Sequence, residues 1–167
     1  GALMVIEQET KLGDVERTGI SIDGVLTSQL LINIFEKNTP LHDGAIVISN
    51  NRIAAAACML PLASSADIAK ELGTRHRAAI GISKESDSIA IVVSEETGKI
   101  SVAKDGTLIA DVREDVLKKI LINSIVTKRF GDDNKNRHNR IAKIKTILKN
   151  RKNKIDTKEN NKDKNNN

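Results

Sequence analysis

The sequence has few aromatic residues and a single cysteine. Its 167 residues include two phenylalanines, Phe35 and Phe130, and no tyrosine or tryptophan, so it lacks an aromatic surface on which single-stranded nucleic acid could stack. One cysteine, Cys58, excludes an intramolecular disulfide and favours a reducing compartment, where a buried free thiol is the ordinary interpretation. No apolar run approaches the ~18 residues of a membrane span. These absences indicate one soluble domain with a single core.

Several common enzyme motifs are also missing. The sequence has no Walker-type glycine loop with its lysine, no dinucleotide-binding fingerprint and no Cys/His spacing typical of zinc sites. Ser64 and Ser65 lack the strand-to-helix context of a hydrolase nucleophile. Ordinary kinase and hydrolase frameworks therefore fit the sequence poorly.

Positive charge is concentrated at the C-terminal end. Residues 128–167 hold 14 Lys and Arg against 5 Asp and Glu, a net charge of +9, which leaves −4 on residues 1–127. This polar, Asn-rich composition predicts a largely disordered tail. Within it, residues 140–149 have the spacing of a short basic amphipathic helix, which leaves open binding to nucleic acid or to a membrane surface.

The chain divides into three parts by composition. Residues 1–4, GALM, are typical of a cloning remnant, which would make the chain an excised piece of a longer protein. Residues 5–130 form the predicted domain, and residues 131–167 form the basic tail.

Apolar periodicity and turn residues predict an α/β fold, with a mixed central β-sheet flanked by helices in a single domain. Thr27 and Ser28 are capping residue types at the start of one amphipathic helix, and Asp111 has the position of an N-cap for the last helix. Asn50 and Asn51 tolerate the positive φ of a tight hairpin turn. The unbroken apolar run at 46–48 predicts a strand covered on both faces. The remaining predicted elements are a short helix at 64–72 and strands at 78–83, 88–94, 99–103 and 107–110.

Three polar clusters interrupt the apolar segments: LHDG at 41–44, GTRHR at 73–77 and SEETG at 94–98. Ligand groups in α/β sheets gather at strand ends and in the adjoining loops. The clusters bring together carboxylates and an imidazole, which bind divalent metals, and guanidinium groups, which bind phosphate oxygens. Together they predict a phosphate and metal site.

Each cluster also has a purely structural interpretation. The first could be a capped turn, the second a solvated loop with surface cations, and the third a polar hairpin turn. The functional interpretation is favoured because residues 1–127 are net negative, which gives no electrostatic reason to place Arg75 and Arg77 together.

The stretches TPLHDGAIVI, ELGTRHRAAIGIS and IVVSEETGKISVA, in this order and spacing, resemble the diadenylate cyclase (DAC) domain of the membrane-associated bacterial type. The resemblance covers about residues 6–130. It implies a nucleotidyltransferase that condenses two ATP into the second messenger cyclic di-AMP and releases two pyrophosphates. It also implies that each subunit binds one ATP and that two facing subunits, a homodimer, are needed for catalysis.

The resemblance further implies a cytoplasmic domain, with the full-length protein anchored at the membrane through an N-terminal segment that this chain lacks. ATP is the expected substrate and cyclic di-AMP the product. A membrane-anchored regulator is a candidate partner, and no nucleic acid is expected. A nucleotide-binding regulatory module without catalysis is the alternative.

The same resemblance assigns roles to individual residues. Asp43 engages the ribose 3′-hydroxyl, and Thr74 and Arg75 complete the catalytic set. A divalent cofactor, Mn²⁺ or Mg²⁺, is expected, with His42, Asp43 and Glu96 as ligands. The implied nucleotide-binding residues are Gly44, Ala45, Met59, Leu60, Thr74, Arg75, His76, Arg77, Ser94 and Glu95.

Adenine is expected against Met59 and Leu60, with backbone groups of Leu60 reading its edge. Some relatives have an aromatic residue at position 59, and methionine covers a ring face less firmly, so weaker adenine binding is expected. The structural alternative is that Met59 simply fills the core.

Overall fold

The computed structural model describes residues 1–64 and 72–126. The chain divides into two compact units, residues 1–117 and residues 118–167. The second unit is described over 118–126, which complete the last helix and continue as a π-helical turn at Ile122–Val126.

The described residues form seven strands and four α-helices. The strands are β1 (Ala2–Ile6), β2 (Ile20–Val25), β3 (Ala45–Ser49), β4 (Arg52–Cys58), β5 (Ile89–Val93), β6 (Ile100–Lys104) and β7 (Thr107–Ile109). The helices are α1 (Gly13–Glu16), α2 (Ser28–Ile34), α3 (Thr74–Glu85) and α4 (Glu114–Leu121).

The strands form one mixed sheet in the order β2-β4-β3-β1-β5-β6-β7. Strands β1 and β3 are parallel, and the other neighbouring pairs are antiparallel. Because of these directions, the starts of β1 and β3 and the ends of β4 and β5 lie at the same edge of the sheet. The predicted mixed α/β sheet with flanking helices is confirmed.

Both faces of the sheet are covered. On one face, Val5, Val47 and Val92 pack with Ala79 and Ile82 of α3. On the other face, Ile46 and Ile48 pack with Ile34 of α2. Alternation of side chains along β3 thus sends residues 46–48 into two separate apolar clusters, as the unbroken apolar run predicted.

Local sequence signals in the first half of the chain are confirmed. Thr27 is the N-cap of α2, and its hydroxyl accepts a hydrogen bond from the Leu30 N–H at 3.2 Å. Asn50 and Asn51 join β3 to β4 with φ values of 51° and 62°, the conformation that a tight hairpin requires.

The prediction of a strand at 78–83 is wrong, because these residues lie inside α3. All six are buried, so this stretch of the helix has no exposed face, and its apolar run cannot be distinguished from a buried strand by periodicity. Gly81 also weakened the helical signal. A Cβ at this position would lie 2.0 Å from the carbonyl oxygen of Pro61, so close packing against residues 61–63 explains the glycine.

Two predictions at the ends of the domain need correction. Ala2, Leu3 and Met4 lie in β1 near the middle of the sheet, so the folded domain includes residues that were predicted to lie outside it. The last helix begins at Glu114, and the Asp111 carboxylate accepts a hydrogen bond from Lys99 Nζ at 2.9 Å, so Asp111 is not its N-cap. Most of the predicted helix at 64–72 and the whole basic tail at 131–167 lie outside the described residues.

Candidate active site

A cavity of about 1000 Å³ opens at the edge of the sheet where β1 and β3 begin and where β4 and β5 end. The first turn of α3 forms a further part of its wall. All three polar clusters contribute to the lining, although they are far apart in sequence. The predicted site residues that line the cavity are Asp43, Gly44, Met59, Leu60, Thr74, Arg75, His76, Ser94, Glu95 and Glu96.

The acidic part of the wall comes from the turn before β3. Asp43 is exposed at the cavity, and Gly44 follows it with φ of +105°. A Cβ on Gly44 would lie 2.8 Å from the carbonyl carbon of Ala57, so the turn packs directly against β4. This contact brings the Asp43 carboxylate to the same cavity as the end of β4.

The cationic part of the wall is the start of α3. Gly73 is the N-cap and has no side chain to bond the first N–H groups of the helix, which makes this terminus suited to an anion. Thr74 and Arg75 occupy its first two positions. Arg75 Nη1 donates to Glu95 Oε2 at 2.9 Å, and this hydrogen bond and charge hold the pKa of the Glu95 carboxyl below its ordinary value.

The hydrogen bond to Glu95 uses only part of the hydrogen-bonding capacity of the Arg75 guanidinium. Its side chain is 24 % exposed, and its Nε is buried without a hydrogen-bond partner among the described residues. A buried guanidinium N–H without an acceptor is unfavourable. Arg75 can therefore gain from an oxyanion placed in the cavity.

The apolar part of the wall comes from the end of β4 and the residues after it. Met59 and Leu62 are 74 % and 52 % exposed, so both side chains offer apolar surface at the cavity. The exposure of Met59 contradicts its interpretation as a core residue. Leu60 is half-buried against the core on the α3 face of the sheet.

Three predicted site residues do not line the cavity. His42 Nδ1 donates to the Thr39 carbonyl at 2.6 Å. Ala45 is fully buried in β3. The Arg77 guanidinium donates to the Ala63 carbonyl at 3.4 Å, so Arg77 holds the segment after β4 against α3.

The donor set for a metal is smaller than predicted. Across residues 1–64 and 72–126, no three His, Cys, Asp or Glu side chains are grouped so that they could hold a metal ion. Asp43 and Glu96 both line the cavity, whereas His42 does not. Two carboxylates completed by phosphate oxygens are an ordinary environment for Mg²⁺ or Mn²⁺, so the residues fit a metal that arrives with a nucleotide.

Several cavity residues carry little chemical signal and were not predicted from the sequence. Leu3, Ala57, Cys58, Val92 and Val93 line the cavity through the apolar ends of their strands. Burial raises the pKa of the Cys58 thiol to about 11, with a smaller contribution from the charge of Glu16, so this thiol is not a nucleophile at neutral pH. Knowledge of the strand order would have been needed to find these residues.

Comparison with known proteins gives the family. Residues 1–108 match the DAC family model, described as "DisA bacterial checkpoint controller nucleotide-binding". The chain is 59% identical over 121 residues to the cyclic di-AMP synthase CdaA of Bacillus subtilis, covering 72% of this chain and 44% of that protein. It is 57% identical over 127 residues to a diadenylate cyclase of Listeria monocytogenes, covering 76% and 46%. The chain thus spans less than half the length of these two relatives.

Two solved structures are similar to this chain in both fold and sequence. DacA from Staphylococcus aureus, as an N166C/T172C double mutant, matches with a TM-score of 0.72 and 50% identity, covering 74% of this chain and 82% of that one. A hypothetical membrane spanning protein from Bacillus cereus matches with a TM-score of 0.64 and 47% identity, covering 67% and 55%. Within the described ranges, no helix of this chain combines the length and apolar character needed to cross a membrane. The family match and the shared fold establish that the chain belongs to the DAC family.

Proposed function

We propose that this chain is the catalytic domain of a diadenylate cyclase, which condenses two ATP into cyclic di-AMP and releases two pyrophosphates. One observation carries the proposal: a carboxylate, an arginine at an uncapped helix start and an exposed apolar surface meet around one cavity. These three features match the ribose, the phosphates and the base of a nucleotide. Relatives that are 59% and 57% identical are named as a cyclic di-AMP synthase and a diadenylate cyclase.

We propose a position for each part of ATP along the cavity walls. The base lies against Met59 and Leu60, since an exposed methionine side chain covers a ring face by dispersion. The triphosphate lies at the start of α3, where Thr74 and Arg75 donate hydrogen bonds to its oxygens. His76, Ser94 and Glu95 complete the surroundings of the phosphates, and Gly44 allows the backbone to approach the ribose.

The reaction requires one in-line substitution at each α-phosphorus. The 3′-oxygen of one nucleotide forms a bond to the α-phosphorus of the other, the bond to the bridging oxygen breaks, and pyrophosphate leaves with that electron pair. Asp43 accepts the hydroxyl proton as general base. Arg75 and the N–H groups at the start of α3 stabilise the charge that develops on the pyrophosphate.

Asp43 and Glu96 are the residues that would hold a divalent metal together with the phosphate oxygens. When bound, Mn²⁺ or Mg²⁺ neutralises negative charge on the phosphates and makes the α-phosphorus more electrophilic. His42 contributes indirectly, because its hydrogen bond to Thr39 fixes the turn that carries Asp43.

Two subunits are needed because each bond joins two different nucleotides. A cavity of this volume accommodates one ATP. A two-fold arrangement of two chains, with their cavities facing, brings each 3′-hydroxyl to the other α-phosphate. In the full-length protein, we propose attachment to the membrane, since the similar Bacillus cereus protein is described as membrane spanning. We also propose a membrane-anchored regulator as an additional partner.

The test uses the chain with ATP and Mn²⁺ and detects cyclic di-AMP by chromatography. Specific activity should rise with protein concentration until dimers dominate. The substitution Asp43→Asn should lower kcat at least ~100-fold, the usual contribution of a general base. Absence of product from the wild-type chain at high protein concentration would refute the proposed activity. Unchanged activity in Asp43→Asn would refute the role of Asp43.

A further inference from the structure

Thr18 lies between α1 and β2, beside the end of β4. Its hydroxyl donates to the Val15 carbonyl at 2.7 Å and accepts from the Met59 N–H at 2.9 Å. One side chain thus connects the α1 turn to the backbone of the cavity wall. Thr18 is not among the residues that line the cavity.

The Met59 N–H lies beyond the regular pairing of the sheet, and the Thr18 hydroxyl is its acceptor. Pairing between β3 and β4 ends at Ala45 and Cys58. From there back to the pair of Val47 and Ala55, three steps along β4 oppose two along β3, which is the signature of a β-bulge.

The bulge places Ala57 in an unfavourable backbone conformation. Its φ is +53°, in the left-handed region that residues with a Cβ rarely adopt. Such a conformation persists only where the surroundings hold it, and it is common next to functional sites. Here the bulge redirects the chain so that Met59 and Leu60 leave the sheet and line the cavity.

The segment that carries Thr18 is packed tightly onto the end of β4. A Cβ on Gly19 would lie 2.4 Å from the Ala56 carbonyl oxygen and 2.6 Å from Cys58 Sγ. Pairing of β2 with β4 begins at the next residue, Ile20, opposite Ala56. The segment that carries the Thr18 hydroxyl therefore packs against the residues on both sides of Ala57, which are Ala56 and Cys58.

We propose that Thr18 is a positioning residue for the nucleotide base. Its hydroxyl fixes the Met59 backbone after the bulge and so sets the surface that Met59 and Leu60 present to the base. The inference rests on the proposed function, because it assumes that an adenine nucleotide occupies the cavity. Thr18 itself touches no part of the nucleotide.

The test compares Thr18→Val, which removes the hydroxyl at nearly constant volume, with Thr18→Ser, which retains it. Thr107→Val is the matched control, since Thr107 is an exposed strand threonine on β7 outside the cavity lining. The affinity for ADP, which carries the same base and cannot release pyrophosphate, is measured by calorimetry. Hydrogen exchange of a peptide covering 58–60 reports directly on the hydrogen bond from the Met59 N–H to the Thr18 hydroxyl. The values of kcat and KM for ATP are measured in parallel.

Thr18→Val should weaken ADP binding and raise KM about fivefold, as expected for one lost hydrogen bond, with kcat within about twofold. Exchange over 58–60 should rise. Thr18→Ser should bind ADP nearly as the wild type does, and Thr107→Val should change nothing. If Thr18→Val does not fold, Thr18→Ala carries the same expectations.

Unchanged ADP affinity and unchanged exchange in Thr18→Val would overturn the inference, as would a Thr18→Ser variant as weak as Thr18→Val. The two proposals fail in different ways. A wild-type chain that binds ADP but forms no cyclic di-AMP contradicts the proposed activity and leaves the Thr18 comparison intact. A chain that binds no ADP contradicts both.

Discussion

Replacing Glu7 by glutamine should destabilise the domain more than a typical surface change does. Glu7 follows β1, and its residue is only 5% exposed. Its Oε1 accepts from Lys11 Nζ at 2.7 Å and from the Ser49 hydroxyl at 2.8 Å, and its Oε2 accepts from the Leu12 N–H at 2.9 Å. One carboxylate therefore ties the end of β1 to α1 and to the end of β3.

The expected magnitude follows from which contacts a glutamine can keep. Its oxygen can still accept from the Leu12 N–H, and the Ser49 hydroxyl can rotate to accept from the amide. The Lys11 ammonium then faces an N–H group and loses its acceptor. The Lys11 side chain is 70% exposed, so water replaces part of what it loses, and the free energy of unfolding should fall by about 1 kcal/mol. For a domain of this size, Tm should fall by roughly 4 °C.

The pH dependence gives an independent check. Burial raises the pKa of the Glu7 carboxyl, but the hydrogen bonds from Lys11, Leu12 and Ser49 outweigh it, so the pKa lies below the ordinary value of 4.5. A carboxyl whose pKa is lowered by folding stabilises the folded state fully at pH values above its unfolded-state pKa. This contribution is lost as the pH falls through the folded-state pKa. The difference in the free energy of unfolding between wild type and Glu7→Gln should therefore have its full value at pH 7 and shrink below about pH 4.5.

Urea unfolding followed by circular dichroism is the suitable assay, because the chain has no tryptophan or tyrosine for fluorescence. Glu9→Gln, an exposed position in the same loop, is the control and should shift the midpoint little. Equal midpoints for the two variants at pH 7 would refute the reasoning. So would a difference that persists undiminished at pH 3.

Two further predictions concern other parts of the fold. Cys58 is 1% exposed, and its pKa is about 11. At pH 8, its reaction with a disulfide reagent should therefore be at least ~100-fold slower in the native chain than in denaturant. Similar rates in the two conditions would contradict its burial. Thr27→Ala removes the N-cap of α2 and should lower the free energy of unfolding, measured with urea, by about 1 kcal/mol. Thr27→Ser keeps the hydroxyl and should retain most of the wild-type stability. Equal losses in both variants would show that the cap hydrogen bond contributes nothing.

Sequence reasoning succeeded where the determining chemistry is local. The N-cap at Thr27 and the turn at Asn50 and Asn51 depend on a few neighbouring atoms, so residue type alone indicates them. The three polar clusters were also expected to meet, because strand ends collect ligand groups. The structure brings parts of all three to one cavity.

The failures share a tertiary cause. Helix α3 is buried along 78–83, and the packing that favours a helix there comes from Pro61 and the sheet, which are distant in sequence. Strand β1 was overlooked because its first residues look like an arbitrary leader, while its partners lie at 46–48 and 89–93. The same limit applies to His42, whose side chain bonds Thr39 rather than facing the cavity.

The position of β1 has a consequence for how the domain is made. This strand is the first in the sequence, yet it lies between β3 and β5, and its pairing is complete only when Val93 reaches Ala2. During synthesis from the N-terminus, the edge of β1 that pairs with β3 stays open until residues 46–48 are made, and the edge that pairs with β5 stays open until residues 89–93 are made. Open apolar edges favour association with other chains. Contacts of such long sequence separation also slow folding. Strand β1 is therefore the element of this domain most exposed to mispairing before the sheet closes.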